Sequence, residues 1–191
     1  MRKIFQILIC MLLILTACKK NEGAYFEDID APAASTRMSR SFYYPEENLT
    51  IAQTYVQHIN HVCKLDEDGD LVLKFDIPFK NGRDEVTFII QKDKLKLGFS
   101  GVYEIKPSKA SDVAAFYLYR LTPSSSSRFL PENSTGALTI NKYDSQFKSL
   151  TGNYNLTINS VNDPASSIYT DFRETTISVS GSFENMQLKN E

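Results

Sequence analysis

The chain has no tryptophan and only two histidines, His58 and His61. Without tryptophan it lacks the strongest aromatic platform for stacking sugars. Two histidines leave little for metal binding or for general-base chemistry near neutral pH. Three cysteines are too few for a disulfide framework. Neither sign of charge dominates: 21 basic residues face 23 acidic ones, for a net charge of −2. There is no basic excess to neutralise a phosphate backbone, which excludes nucleic acid as the expected partner. No apolar run is long enough for a membrane-spanning helix. The longest, Ile4 to Leu15, is interrupted by Gln6 and falls short of the roughly 20 residues that a helical span needs.

Catalytic signatures are also missing. Ser124 to Ser127 reads as a loop after Pro123 rather than a Gly-x-Ser-x-Gly elbow. No glycine-rich phosphate loop occurs, and no cofactor is implied. Asp66-Glu67-Asp68-Gly69-Asp70 is the one dense acidic cluster. Asp66, Asp68 and Asp70 supply a weak calcium alternative, since calcium takes six to eight oxygens. The EF-hand loop, however, wants Gly sixth and Glu twelfth. Here Gly is fourth and Ile77 occupies position twelve, so a charged hairpin tip is the simpler reading and no metal site is expected. His58 and His61 would share a face of a helix but fall on opposite faces of a strand. The scattered carboxylates leave open one enzyme reading, a hydrolase acting on envelope polysaccharide through a carboxylate pair.

What the chain does have begins at its N-terminus. Arg2 and Lys3 precede the apolar run, and Leu15-Thr16-Ala17-Cys18 follows it. This is the layout of an exported leader, and the last four residues resemble the lipobox of bacterial lipoproteins. The resemblance implies cleavage before Cys18 and acylation of its sulfur with palmitate-type chains. An ordinary secretory signal with a chance cysteine is the alternative. On the lipoprotein reading, residues 1–17 are the signal peptide and Cys18 is the lipid attachment. Loss of Arg2 and Lys3 takes the net charge from −2 to −4. Lys19 occupies the place where an aspartate would retain a Gram-negative lipoprotein in the inner membrane, which points to the outer membrane. Several buried acyl chains, at about 0.8 kcal/mol per methylene, make such an anchor permanent. Cys10 leaves with the leader, so Cys63 is the one thiol without a covalent role.

Residues 18–40 are rich in Ala, Ser, Asp and Glu around Pro32 and read as a flexible tether, with an extra ordered strand as the alternative. The domain is expected over 41–191. Residues 45–57 are ambiguous: Pro45-Glu46-Glu47 suits a helix start, whereas Ile51, Thr54, Tyr55 and Val56 favour strand. Beyond them the period is two. Ile59, Cys63 and Leu65 form one apolar set, and Leu71, Leu73, Phe75 and Ile77 the next, with the acidic turn between. Asn81-Gly82 leads to Val86, Phe88 and Ile90. Further strands are expected at 102–105, at 113–121 with its dense aromatics, and at 136–144. A long one contains Leu150, Tyr154, Leu156 and Ile158 on one side and Asn153, Asn155, Thr157 and Asn159 on the other. A last one contains Ile177, Val179 and Phe183. Leu150-Thr151-Gly152-Asn153-Tyr154 and Val179-Ser180-Gly181-Ser182-Phe183 share a pattern of apolar, hydroxyl, Gly, small polar, aromatic. An intrastrand glycine marks a bulge, a bend or a close approach, and the shared device predicts neighbouring strands.

Eight or so short strands and no convincing long helix predict an all-β antiparallel sandwich, with a flattened barrel as the alternative and one short helix near 45–57 as an option. From Gly98 to Leu188 the chain resembles small uncharacterised lipoproteins of Bacteroidota-type bacteria. The matching segments are Gly101-Val102-Tyr103-Glu104-Ile105, Gly136 to Asp144, Leu150 to Tyr154 and Ser180 to Phe183. The resemblance implies a β-sandwich and brings no known activity. The expectation is therefore a lipid-anchored envelope protein that binds without catalysing. Its partner is a glycan or an envelope protein, and Asn153, Asn155 and Asn159 are the candidate contacts. A structural role without a small ligand is the first alternative, and the polysaccharide hydrolase the second.

Overall fold

A computed structural model describes residues 30–107, 111–122, 125–129, 131–164 and 173–190. Among them are twelve β-strands and two short 3-10 segments, with no α-helix. The sandwich belongs to the compact unit Pro32–Glu191. The expected signal segment 1–17, Cys18 and the first part of the expected tether lie outside the described residues.

The strands form two six-stranded sheets. In the first, the order is β2 (Leu49–Tyr55), β1 (Ser35–Tyr44), β11 (Glu174–Gln187), β10 (Ser149–Asn162), β9 (Ser134–Asp144) and β6 (Gly101–Ile105). In the second it is β12 (Lys189–Asn190), β3 (Asn60–Leu65), β4 (Leu71–Phe79), β5 (Gly82–Ile90), β7 (Ala114–Thr122) and β8 (Ser125–Phe129). All neighbours are antiparallel except the two-residue β12, which runs parallel to β3. The sheets do not close on one another, so the fold is a sandwich and not a flattened barrel.

The alternation explains the core. Leu71, Leu73, Phe75 and Ile77 of β4 turn inward, as do Val86, Phe88 and Ile90 of β5 and Leu150, Tyr154, Leu156 and Ile158 of β10. Phe75 touches rings from both sheets, with Tyr154 at 4.8 Å, Phe183 at 5.6 Å and Phe88 at 6.4 Å between centroids. Each such side chain removed from water stabilises the fold by about 1.5–3 kcal/mol. Cys63 sits among them, 2% exposed and directly opposite Leu73, the register that its alternation with Leu65 predicts.

Four sequence expectations need correction. The tether does not run to residue 40. Strand β1 starts at Ser35 and pairs with β11 on one side and β2 on the other, so the ordered-strand alternative applies to its last residues and the domain begins before 41. Met38, Arg40, Phe42 and Tyr44 point inward there, and a cation in an inward slot is what hid the alternation. Residues 45–57 hold no helix: Asn48 donates its N–H to Pro45 O in a turn, and β2 follows. The serine run after Pro123 is not all loop, because Ser125–Phe129 is strand β8, paired with β7. Finally, the hairpin between β4 and β5 turns on Lys80-Asn81. Gly82 is already in the strand opposite Phe79, where a side chain would strike Arg120 O.

Candidate functional site

The wet face anticipated on β10 is the middle of a larger surface. Strand register lines up Thr54, Ser39, Ser180, Asn155, Ala137 and Glu104 across the outer face of the first sheet. One row along, Arg37, Ser182, Asn153, Thr139 and Val102 are in line. On the other side run Ala52, Ser41, Ser178, Thr157 and Thr135. Within these three rows the charges, Arg37 and Glu104, stand at the ends. Between them lie short hydroxyls and amides on a pleated lattice, about 4.8 Å apart across strands and about 6.8 Å along them. Adjacent groups bond to each other where they meet, as Ser39 and Thr54 do at 3.0 Å between their hydroxyl oxygens.

The three asparagines differ in what they have left to offer. Asn153 is exposed in the regular part of the lattice. Asn155 is exposed, but its Oδ1 accepts the N–H of Ala137 at 3.1 Å, so its amide N–H groups face outward while its carbonyl is engaged. Asn159 lies where the β10–β11 register breaks between Ile158 and Val161, beside Ser160 with φ 50°, and stands apart from the lattice. The sequence exposed this face through alternation on β10. It could not show the serines of β1 and β11, because their alignment depends on pairing between the two ends of the domain.

The polar cluster that sequence reasoning missed lies between the sheets. Arg40 Nε of β1 sits 2.8 Å from Asp84 Oδ2 of β5. Tyr55 donates its hydroxyl to the same carboxylate oxygen at 3.4 Å and accepts from Arg40 at 3.3 Å. The guanidinium also lies 4.3 Å from the Phe42 ring centroid and 4.7 Å from that of Tyr119. Burial raises the pKa of Asp84, opposed by the Arg40 guanidinium, by the nearby Tyr117 hydroxyl and by the hydrogen bond from Tyr55. Burial, with the nearby Asp84 carboxylate, also raises Tyr117 well above the ordinary phenol value. Asp84 is fully buried, so this cluster ties the sheets together and offers no surface to a substrate. Arg40 fell at the end of the expected tether, and nothing in the sequence singled out Asp84.

The acidic cluster has a structural role. Asp66 Oδ1 accepts the N–H groups of Asp68 at 3.1 Å and Asp70 at 2.9 Å, and Asp70 Oδ1 accepts that of Lys92 at 2.9 Å. These carboxylates fold the acidic tip back on its own backbone. Among the described residues, no three His, Cys, Asp or Glu side chains are grouped to hold a metal ion. His58 and His61 are both exposed, His58 in a left-handed turn and His61 on β3. On the outer face of the second sheet a shallow open depression of about 260 Å³ is lined by Glu85, Thr87, Ile89, Phe116 and Leu118. Its one carboxylate, Glu85, is held by Lys74 at 2.9 Å and Arg83 at 3.3 Å.

No protein family, no curated protein and no solved structure matches the chain. The surface chemistry therefore has to carry the functional argument. An array of hydroxyls and amides with charge at the ends of its rows complements a ligand that is itself uncharged and rich in hydroxyls.

Proposed function

We propose that this chain is a lipid-anchored protein of the bacterial envelope whose β-sandwich is a non-enzymatic binding module for neutral polysaccharide. One observation carries the reading: the hydroxyl–amide lattice of the first sheet, with Asn153 and Asn155 at its centre and charge only at the ends of its rows. A neutral glycan can exchange its water contacts for hydrogen bonds there without stranding a charge, whereas within these rows the one cation for an acidic ligand is Arg37, at the end of its row. Each contact is weak. Repetition along a polymer, and many copies on one membrane, give avidity. The leader and Leu15-Thr16-Ala17-Cys18 support the anchor, and Lys19 supports the outer membrane.

The test uses residues 30–191, which hold every strand and buried core residue among the described residues. Neutral and acidic envelope polysaccharides are offered in affinity electrophoresis, with reducing-end release followed in parallel. Retardation by neutral polymers is expected. It should weaken at least about tenfold, near 1.4 kcal/mol, when Ser180 and Ser182 are both changed to Glu, with the melting temperature unchanged. Retention that ignores these changes would move the site elsewhere. Turnover that disappears on replacing a single Asp or Glu would establish the hydrolase instead.

A further inference from the structure

Among the described residues, nothing protects the strand at one end of the first sheet. Residues 49 to 54 of β2 are all exposed, on both faces of the strand. Leu49 and Ile51 lie opposite Tyr44 and Phe42, on the side of the sheet that faces the core. Yet Leu49 is 42% and Ile51 49% exposed, while Tyr44 and Phe42 are at 2%. The second sheet stops short of them. Val56, just beyond the strand, is 62% exposed. Among the described residues β2 has β1 on one side and no strand on the other.

Proteins ordinarily blunt such an edge with charge, proline, a bulge or a very short strand. The opposite edge of the same sheet is treated that way. Strand β6 has five residues, carries Glu104 in an ion pair with Lys106, and has its backbone covered. Asp112 N–H donates to Glu104 O, and Ser111 Oγ both donates to Glu104 O and accepts from Lys106 N–H. None of these devices protects β2. From Asn48 to Cys63 the sequence contains no Asp, Glu, Lys, Arg or Pro.

We infer that β2 is a homotypic docking edge, pairing antiparallel with β2 of a second copy about a two-fold axis so that the two first sheets become one. The choice of a second copy rests on self-complementarity. A two-fold contact sets the axial residue against its own copy and brings every residue beside the axis close to its own copy, so any charge there would be repelled; β2 has none. With the axis at Ala52, Thr50 faces Thr54 of the second copy, Ile51 faces Gln53, and Leu49 faces Tyr55. Threonine pairs and aromatic–aliphatic pairs are favourable cross-strand neighbours. The free backbone edge gains a ladder, and Leu49 and Ile51 gain cover. This inference stands on the strand itself and does not require the glycan reading.

The experiment uses the full chain in the membranes of the bacteria that express it. Cysteine is introduced singly at Thr50, Ala52, Thr54 and, as a control on the other edge, Val102, which is 48% exposed. Cys63 is buried, and the parent chain sets the background. Mild oxidation should give a disulfide dimer of twice the chain mass at Ala52→Cys, far less at Thr50→Cys and Thr54→Cys, and none above background at Val102→Cys. Adding Ile51→Lys should abolish the dimer by placing two cations beside the axis. Because Ile51 is half-exposed, the melting temperature should stay unchanged, which separates loss of pairing from loss of fold. Absence of dimer, equal dimer at Ala52 and Val102, dimer that persists with Ile51→Lys, or an adduct of Ala52→Cys with a chain of different mass would each overturn the proposal.

Discussion

Tyr154 lies directly opposite Gly181, and its ring occupies the place where a side chain on that glycine would be; Phe183 stands in the same relation to Gly152. A Cβ on Gly181 would come 2.4 Å from the Tyr154 hydroxyl and 2.3 Å from Arg37 O. One on Gly152 would come 2.6 Å from Phe183 and 2.1 Å from Thr139 O. The repeated Gly-x-aromatic pattern is thus a reciprocal clasp between two antiparallel strands. Gly152 also sits at a shift in register, whereas β11 runs through Gly181 without one. Valine at either position should therefore cost about 1–3 kcal/mol by overpacking, read as a lower midpoint in urea. Unchanged midpoints for both would show that the rings move aside freely.

The Arg40–Asp84 pair predicts strong non-additivity. Replacing Arg40 by Met, or Asp84 by Leu, leaves the other charge buried and should cost about 3–5 kcal/mol. The double replacement should cost less than either alone, because no charge is then stranded. A urea-melt cycle over the four proteins measures the coupling, and additive losses would count against it.

Alkaline pH should weaken the fold. Burial pushes the Cys63 thiol up to about 12, against about 8.5 in an unfolded chain. Burial and Asp163 also push Tyr44 up to about 12. Between those limits the unfolded chain loses protons that the folded chain keeps. Stability is therefore full below about pH 8.5 and declines as the pH rises towards 12. Cys63→Ala should flatten part of that decline. Maleimide labelling of Cys63 at neutral pH should be slow until denaturant is added; fast native labelling would refute the burial.

The acidic turn should behave as a fold element. Asp66→Ala removes an acceptor for two backbone N–H groups and should cost about 1–2 kcal/mol. Millimolar calcium should leave the melting temperature of the parent chain unchanged. A calcium-dependent rise that Asp66→Ala abolishes would restore the metal reading.

The anchor is tested by mass. Cys18→Ser should leave an uncleaved precursor without lipid, and the native protein should begin at an acylated Cys18. An unmodified mature terminus at another residue would refute the lipobox.

Legibility in the sequence followed chemical contrast. Strands β4, β5, β10 and β11 alternate apolar with polar residues, so both their existence and their inner faces could be read. Strand β1 was obscured because Arg40 occupies a core-facing slot that makes sense only beside Asp84, 44 positions along the chain. Strand β2 was ambiguous because neither of its faces is buried, and β8 because a serine run has no contrast at all. The candidate surface was half visible. Asn153 and Asn155 announced themselves, but Ser39 and Ser180 became their neighbours only through pairing across the length of the domain.

That pairing also sets an order of events in time. Strand β1 is held in the sheet by β11, with Ser35 opposite Glu184 and Phe42 opposite Ile177. Nearly the whole domain must be made, or must have crossed a membrane, before its first strand finds this partner. Until then β1 and β10 each lack their shared neighbour, and the apolar faces of the first sheet have no complete surface to cover. Such long-range closure is slow relative to local hairpins. The hairpin β3–β4–β5 can form early, but the chain gains the full cooperativity of its core only with the arrival of β11. A domain built this way completes its core only when its last long strand is in place.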